Sequence, residues 1–332
     1  MICVALSCQR DILRLAHTFT TFGTKVKIKM KNYVCQVPEL ARTNVHIKNK
    51  ELVNQKIKNL IEGGFDKLQV VSDFDKTLTK QHQNGKMHLS SFGIFSCCPS
   101  VTEEHTRFST ELNKKYAPCE VDPTISKPEK TKLMEEWWSL SEDSLRGLSV
   151  SQKEIEEVCG QLGPELRDGT KELFDQLQQA DVPVLVFSAG LGDTVKAVMK
   201  HFDVNLPNVE VISNFLKYDN EGRIMGFKNT TIHVYNKNEV AIKGTEFYKR
   251  IEDRENVILM GDSLGDANMV EGMETIRTVL KIGFLYERSE EALPDYLDTF
   301  DVVLVDDQTM DLPMAILDLI KKSLNNLGDG KA

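Results

Sequence analysis

Six short apolar runs rich in β-branched residues punctuate this chain: LQVVSDFD (68–75), VPVLVFSAG (182–190), VEVISNF (209–215), NVILMGDS (256–263), TVLKIGFL (278–285) and DVVLVDD (301–307). Runs this short and this continuous suit strands buried on both faces, the environment of a parallel sheet covered by helices. Helical spacing fills several of the gaps, as in GDTVKAVMKHF and PMAILDLIKKSL. Ahead of the first run, NKELVNQKIKNLIEGG repeats apolar residues at Leu52, Ile57, Leu60 and Ile61 and stops on Gly63-Gly64. The alternation predicts an α/β fold, a Rossmann-like parallel sheet flanked by helices. FLKYDNEGRIMGF (215–227) predicts a hairpin turning at Asp219–Gly222.

Over a hundred residues separate the first two runs, with almost no strand signal among them. Helical patterns occupy 103–116, 128–146, 151–162 and 169–180. A crossover between parallel strands needs far less chain. The expectation is a helical cap, residues 81–165, inserted after the first catalytic strand and lying over the strand ends. The catalytic core then comprises 45–80 and 166–325. Residues 1–44 are expected to form an N-terminal extension, disordered or targeting, because the first 32 residues are basic and carry a single acid, Asp11.

Composition excludes several functions. The chain has 332 residues and a net charge of −9, which argues against a surface for nucleic-acid polymers. No run of eighteen apolar residues is present, so no membrane span is expected. The seven cysteines contain no CxxC pair, and reduced thiols in a cytoplasmic protein are the simplest reading. The basic extension leaves a mitochondrial isoform open. A monomer acting on a small molecule is expected.

VVSDFDKTLTK (70–80) ends the first run on two aspartates, Asp73 and Asp75. Alone, such a pair is explained equally well by a polar turn. Two other run ends also carry reactive groups, however: Ser188 in FSAG, and Asp262 with Asp266 in GDSLGD. Lys237 lies between them in the chain. In open α/β sheets, ligands bind beyond the carboxyl ends of the strands.

These residue types suit phosphoryl transfer, which needs an in-line nucleophile and neutralisation of the phosphoryl oxygens. Asp73 can attack phosphorus and form an aspartyl-phosphate. Asp75, pointing to the same side, can protonate the leaving oxygen and later activate water. Asp73, the Asp75 carbonyl and Asp262 offer the oxygen ligands that Mg2+ prefers, with Asp266 in support. Ser188 and the amides of Ala189 and Gly190 can donate to phosphate at a strand-to-helix junction. Lys237 offsets the negative charge.

Taken in order, DFDKT, FSAG, a downstream lysine and GDSLGD resemble the four motifs of the haloacid-dehalogenase-like phosphatases. The likeness extends to DFDKTLTK, EVDP (120–123), EEWW, PVLVFSAGLGD, VISNF, GFKNTTIHVYNKN, GDSLGDANMVEG and LKIGFL. Together these are similar to the cytosolic 5′-nucleotidase III family over about residues 45–320. That family includes pyrimidine 5′-nucleotidases and 7-methylguanosine phosphate-specific 5′-nucleotidases. The resemblance implies a Mg2+-dependent phosphohydrolase of nucleoside 5′-monophosphates, with Asp73 as nucleophile and Asp75 as proton donor. It implies metal on Asp73, Asp75 and Asp262, and phosphate contacts from Ser188, Ala189 and Lys237. Glu120 matches a base-contacting glutamate and Ser141 a substrate-contacting serine.

The tandem Trp137-Trp138 then decides how the base is read. Helical spacing groups Trp137 with Leu133 and Leu140, an apolar set expected in the core. It groups Trp138 with Met134 and Ser141, a mixed set, so Trp138 is the pocket candidate. Phe92, in SSFGIF (90–95), lies where the family carries its second ring-bearing base contact. A cationic base gains most from such rings, so the expected substrates are 7-methylguanosine 5′-monophosphate and CMP. The rivals are a pyrimidine-preferring nucleotidase, a phosphatase for another small phosphomonoester such as phosphoserine, and a catalytically silent nucleotide-binding protein.

Overall fold

A computed structural model of the chain describes residues 32–122, 124–162, 165–238, 242–243 and 245–328. The targeting reading of the N-terminal segment falls outside the described residues. Residues 33–44, expected in the extension, instead pack on the fold, with Val37 and Leu40 buried in its core.

Among the described residues, the central sheet has seven strands. In chain order they are β1 (Val45–His46), β2 (Leu68–Ser72), β5 (Val184–Leu191), β6 (Val209–Asn214), β9 (Asn256–Gly261), β10 (Thr278–Leu285) and β11 (Val302–Val305). Two small hairpins supply β3 (His82–Gln83) with β4 (Lys86–Met87), and β7 (Leu216–Tyr218) with β8 (Ile224–Phe227). All six predicted runs are strands of this sheet. The hairpin β7–β8 turns where expected, with Gly222 at φ 78° donating to the Asp219 carbonyl.

The sheet order is β1-β11-β10-β9-β2-β5-β6, parallel except for β1. From β2 the chain builds outward to β5 and β6, then crosses back to add β9, β10 and β11 on the other side. β2 is thus the topological switch point, where a crevice opens at the carboxyl ends of β2, β5 and β9.

Successive strand residues serve opposite faces. Val70, Val184 and Ile258 join one apolar layer, while Val71, Leu185 and Val257 join the other. Burying each of these side chains is worth about 1.5–3 kcal/mol, so both helical layers are held by the strand pleat.

Helices cover both faces. They are α1 (Lys50–Gly63), α2 (Ser91–Phe95), α3 (Glu103–Val121), α4 (Lys127–Leu145), α5 (Gln152–Leu162), α6 (Thr170–Gln179), α7 (Gly192–His201), α8 (Glu246–Ile251), α9 (Ser289–Thr299) and α10 (Asp311–Gly328). Local chemistry sets several ends. Asn49 caps α1 by accepting from the Leu52 amide, and Gly64 closes it at φ 61°. Ser126 and Glu129 form a capping box at the start of α4. No helix among the described residues is long and apolar enough to cross a membrane.

α3 and α4 pack together around a small cluster of their own, Leu112, Tyr116 and Met134, joined by Val234. α4 is tied to β8: Glu142 accepts from the Phe227 amide at 3.1 Å, in space that only a glycine at 226 leaves free. Where the chain leaves and re-enters the sheet region, Thr79 bridges Leu166. Beside that crossing, the buried Arg167 guanidinium donates to the carbonyls of Lys76, Thr77 and Asp307. Arg167 thereby pins the loop that follows Asp75.

Candidate active site

The site is built on three strand ends. Asp73 follows β2 directly, and its amide is tied to the Met260 carbonyl of β9. Asp262 follows β9, and Asp266 lies on the short 3-10 turn Leu264–Asn268. One oxygen from each of Asp73, Asp262 and Asp266 lies within 4.8 Å of the others.

Lys237 arrives from the loop after β8. That loop is pinned by Asn236, which accepts from the His233 amide and donates to the Thr231 carbonyl. The Lys237 ammonium is buried, 2.5 Å from Asp73 Oδ1 and 2.8 Å from Asp266 Oδ1. The other oxygen of Asp266 accepts from the amide and hydroxyl of Ser263 at 3.0 Å each. Thr77 donates to Asp262 Oδ1 at 3.3 Å, and the Tyr296 hydroxyl donates to the Asp262 carbonyl.

The electrostatics are those of crowded acids. Burial pushes Asp73 well above the usual carboxylate range, against the pull of Lys237. Burial and the Asp266 charge push Asp262 up to about 7. Burial alone would discharge Lys237, but the charges of Asp266 and Asp73 outweigh it and hold the ammonium charged. Three clustered carboxylates, with Lys237 on Asp73 and Asp266 and Lys76 acting on Asp262, fit a divalent cation, and their hard oxygen donors suit Mg2+.

The phosphate-side end of β5 is equally constrained. Ser188 Oγ accepts from the Gly190 amide at 3.0 Å, and Ser213 donates to the Gly190 carbonyl at 2.9 Å. Asn214 holds the Ala189 carbonyl at 2.8 Å. The Trp138 indole N–H reaches that same carbonyl at 3.3 Å, linking α4 to β5.

A cavity of about 260 Å³ collects every residue singled out in the sequence. Asp73, Asp75, Asp262, Asp266, Lys237, Ser188, Ala189 and Gly190 line its floor on the strand ends. Phe92, Glu120, Trp138 and Ser141 line the part built from α2, α3 and α4. Burial, together with the Asp266 charge, raises the Glu120 carboxyl above its usual range.

Trp137 departs from the expectation. It stacks on Tyr116, with centroids 5.8 Å apart, yet it also lines the cavity and meets Trp138 edge-on. Met134, grouped with Trp138 by spacing, is the fully buried residue of that helix face. Both indoles are half-buried, so one face of α4 serves core and pocket together.

Sequence reasoning missed Lys76, His105, Ser109 and Asn113, which also line the cavity. It missed Ser91, whose amide and hydroxyl hold both oxygens of Asp75. A buried serine or histidine in a helical stretch carries no signal of its own. Lys76 did have one, since it lies inside DFDKT.

Comparison with known proteins identifies the family. The pyrimidine 5′-nucleotidase (UMPH-1) family model matches residues 76–321. A Drosophila melanogaster protein named 7-methylguanosine phosphate-specific 5′-nucleotidase is 42% identical over 86% of this chain and 90% of its own. The Gallus gallus protein of the same name is 38% identical, over 85% and 97% respectively. A crystal structure of cytosolic 5′-nucleotidase IIIB bound to cytidine superposes with a TM-score of 0.84 at 40% identity. It covers 88% of this chain and 98% of that one.

Proposed function

The chain belongs to the pyrimidine 5′-nucleotidase (UMPH-1) family, and on that premise we propose that it hydrolyses 7-methylguanosine 5′-monophosphate and CMP through an aspartyl-phosphate on Asp73. The observation that carries the reading is that one cavity is lined both by Asp73, Asp262, Asp266 and Lys237 and by Trp138, Phe92 and Glu120. Within this reading α3 and α4 form the cap over the strand ends, while Val37 and Leu40 before residue 45, and Phe95 and Ile155 within 81–165, join the core.

Each residue then has a task. The Asp73 carboxylate attacks phosphorus as the bond from phosphorus to the 5′ oxygen breaks, and Asp75 gives that oxygen its proton. The nucleoside leaves. Asp75, now ionised, takes a proton from the attacking water as the bond between phosphorus and Asp73 breaks, releasing phosphate and restoring both acids. Lys237 balances the charge gathering on Asp73 and the phosphoryl oxygens, while Ser188 and the Ala189 amide hold those oxygens and the Gly190 amide, which donates to Ser188 Oγ, turns towards them when phosphate binds.

Asp73, the Asp75 carbonyl and Asp262 would hold Mg2+, with Asp266 beside them. When bound, the metal supplies positive charge to the phosphoryl oxygens.

Base recognition follows the aromatic wall. Trp138 and Phe92 offer ring faces, Glu120 offers an acceptor for the Watson–Crick edge, and Ser141 a hydroxyl. A cationic N7-methylguanine gains a cation–π contribution that neutral bases lack. The names of the Drosophila and chicken relatives support the methylated nucleotide, and the cytidine in the related crystal structure supports CMP. A cytoplasmic location is proposed on the same footing, from the word cytosolic in the name of that solved relative.

The test is kcat/KM with Mg2+ across 7-methylguanosine monophosphate, CMP, UMP, GMP and phosphoserine. The reading expects the first two to lead. A lead for UMP would move the chain to the pyrimidine-preferring reading, and a lead for phosphoserine would remove the nucleotide assignment altogether.

A further inference from the structure

The Asp75 carboxylate does not float in the cavity. Its Oδ1 accepts from the Ser91 amide at 2.8 Å and its Oδ2 from the Ser91 hydroxyl at 2.7 Å. The hydroxyl is itself oriented, since its oxygen accepts from the Leu191 amide at 3.1 Å, leaving its proton directed at Asp75. Ser91 is completely buried. It is also the first residue of α2, whose start is fixed by Ser90 accepting from the Gly93 amide at 3.2 Å.

The fold makes room for this contact at one place. A Cβ on Gly190 would stand 2.1 Å from Ser91 Oγ and 2.9 Å from Asp75 Oδ2. The glycine of FSAG is therefore required by the approach of Ser91 to Asp75, apart from any contact its amide makes with phosphate. Two donors from one residue fix both the plane and the rotamer of the carboxyl group. A singly held aspartate at the mouth of a cavity keeps much of its side-chain freedom.

We infer that Ser91 is a positioning residue for the proton transfer. By gripping both oxygens of Asp75 it aims the carboxyl group at the leaving 5′ oxygen. The inference rests on the role proposed above for Asp75. Because α2 also carries Phe92 to the base side of the same cavity, one short helix sets both the acid and a wall of the base pocket. Misplacing a catalytic group by about 1 Å can cost on the order of a hundredfold in rate, so the loss of this grip is measurable.

The experiment compares CMP with its analogue in which sulfur replaces the bridging 5′ oxygen. Base, ribose and phosphate are retained, but a thiolate leaves with little need of a proton. kcat/KM isolates the steps up to departure of the nucleoside, so the later water attack does not enter.

Ser91→Ala should lower kcat/KM for CMP by about 10- to 100-fold and for the sulfur analogue by less than about 3-fold. Asp75→Asn should show the same asymmetry, larger. The ratio between the two substrates is independent of how much protein is correctly folded. Ser91→Cys fills the space with a weaker donor, should give an intermediate ratio, and stands in if the alanine variant fails to fold.

Equal losses for both substrates in the Ser91 variants, or no loss in either, would overturn the positioning role and leave Ser91 as packing. Equal losses in Asp75→Asn would instead overturn the proton-donor reading on which it rests.

Discussion

Lys237 and Asp73 meet as a buried pair, with the ammonium 2.5 Å from Asp73 Oδ1. Neither side chain has solvent to fall back on. Lys237 must also serve Asp266 at 2.8 Å, so one cation answers to two acids, with Asp262 close by. Desolvated charges of this kind are costly to assemble. Their presence at a topological switch point is accounted for if the surplus negative charge is put to chemical use.

Asp73→Asn tests the nucleophile. The amide is almost isosteric, and Lys237 keeps Asp266 as a partner, so the fold should persist by circular dichroism. Phosphate release should fall below about a tenth of wild type, because covalent catalysis contributes far more than tenfold. Turnover above that level would show that another group attacks phosphorus.

Lys237→Met tests the counter-charge. Removing one member of a buried ion pair costs about 3–5 kcal/mol, and here two acids lose their cation. Both Asp73 and Asp262 are already held above their unfolded values. Such carboxylates contribute fully only below the unfolded value, and that contribution is lost as pH rises through the folded one. The Tm deficit of the variant should therefore be larger at about pH 8 than at about pH 5. An equal deficit at both would mean that Lys237 acts through packing alone.

Much of this was legible in the sequence, and for a definite reason. A strand buried on both faces must read as an unbroken apolar run, so β2, β5 and β9 announce themselves. Asp73 and Asp262, just past the ends of β2 and β9, and Ser188, in the second half of β5, inherit their positions from that pattern. What was missed has no periodic signature. The helix expected to end at 116 runs on to Val121 through Pro118, and so carries Glu120 on its last turn. Proline there argues for a stop, and tertiary packing overrides it. α9 carries Pro294 and hides for the same reason. α2 is five residues long, too short to show a period. Ser91 matters because of what it meets a hundred residues away at Leu191, a contact that only the folded chain reveals.

Metal binding should be linked to pH. Asp262 is pushed up to about 7 from an ordinary 3.8. Between those values the folded state holds a proton that the unfolded state has lost, so stability falls as pH rises. A bound cation takes the place of that proton. Millimolar Mg2+ should therefore raise Tm more at about pH 8 than at about pH 5.5. Thermal melts with and without EDTA measure this directly. A pH-independent gain would place the cation away from Asp262.

The last prediction concerns Trp138, which has two contacts to lose. Its ring lines the base side of the cavity, and its indole N–H reaches the Ala189 carbonyl at the phosphate end of β5. Stacking a cationic base on tryptophan in a partly dry pocket is worth about 1–2 kcal/mol. Trp138→Ala should thus lower kcat/KM for 7-methylguanosine monophosphate about five- to thirtyfold. CMP lacks the cation and should lose less. The Ala189 carbonyl keeps Asn214 as a donor after the substitution, so that end of β5 is not left with an unsatisfied group. Ribose 5-phosphate, which has no base to stack, should then change by less than about twofold. Trp138→Phe separates the two contacts, because it keeps a ring wall and removes only the N–H. It should retain most of the preference for the methylated nucleotide. Equal losses for all three substrates in the alanine variant would assign Trp138 to the α3–α4 cluster beside Tyr116, and the preference for a cationic base would then need another wall.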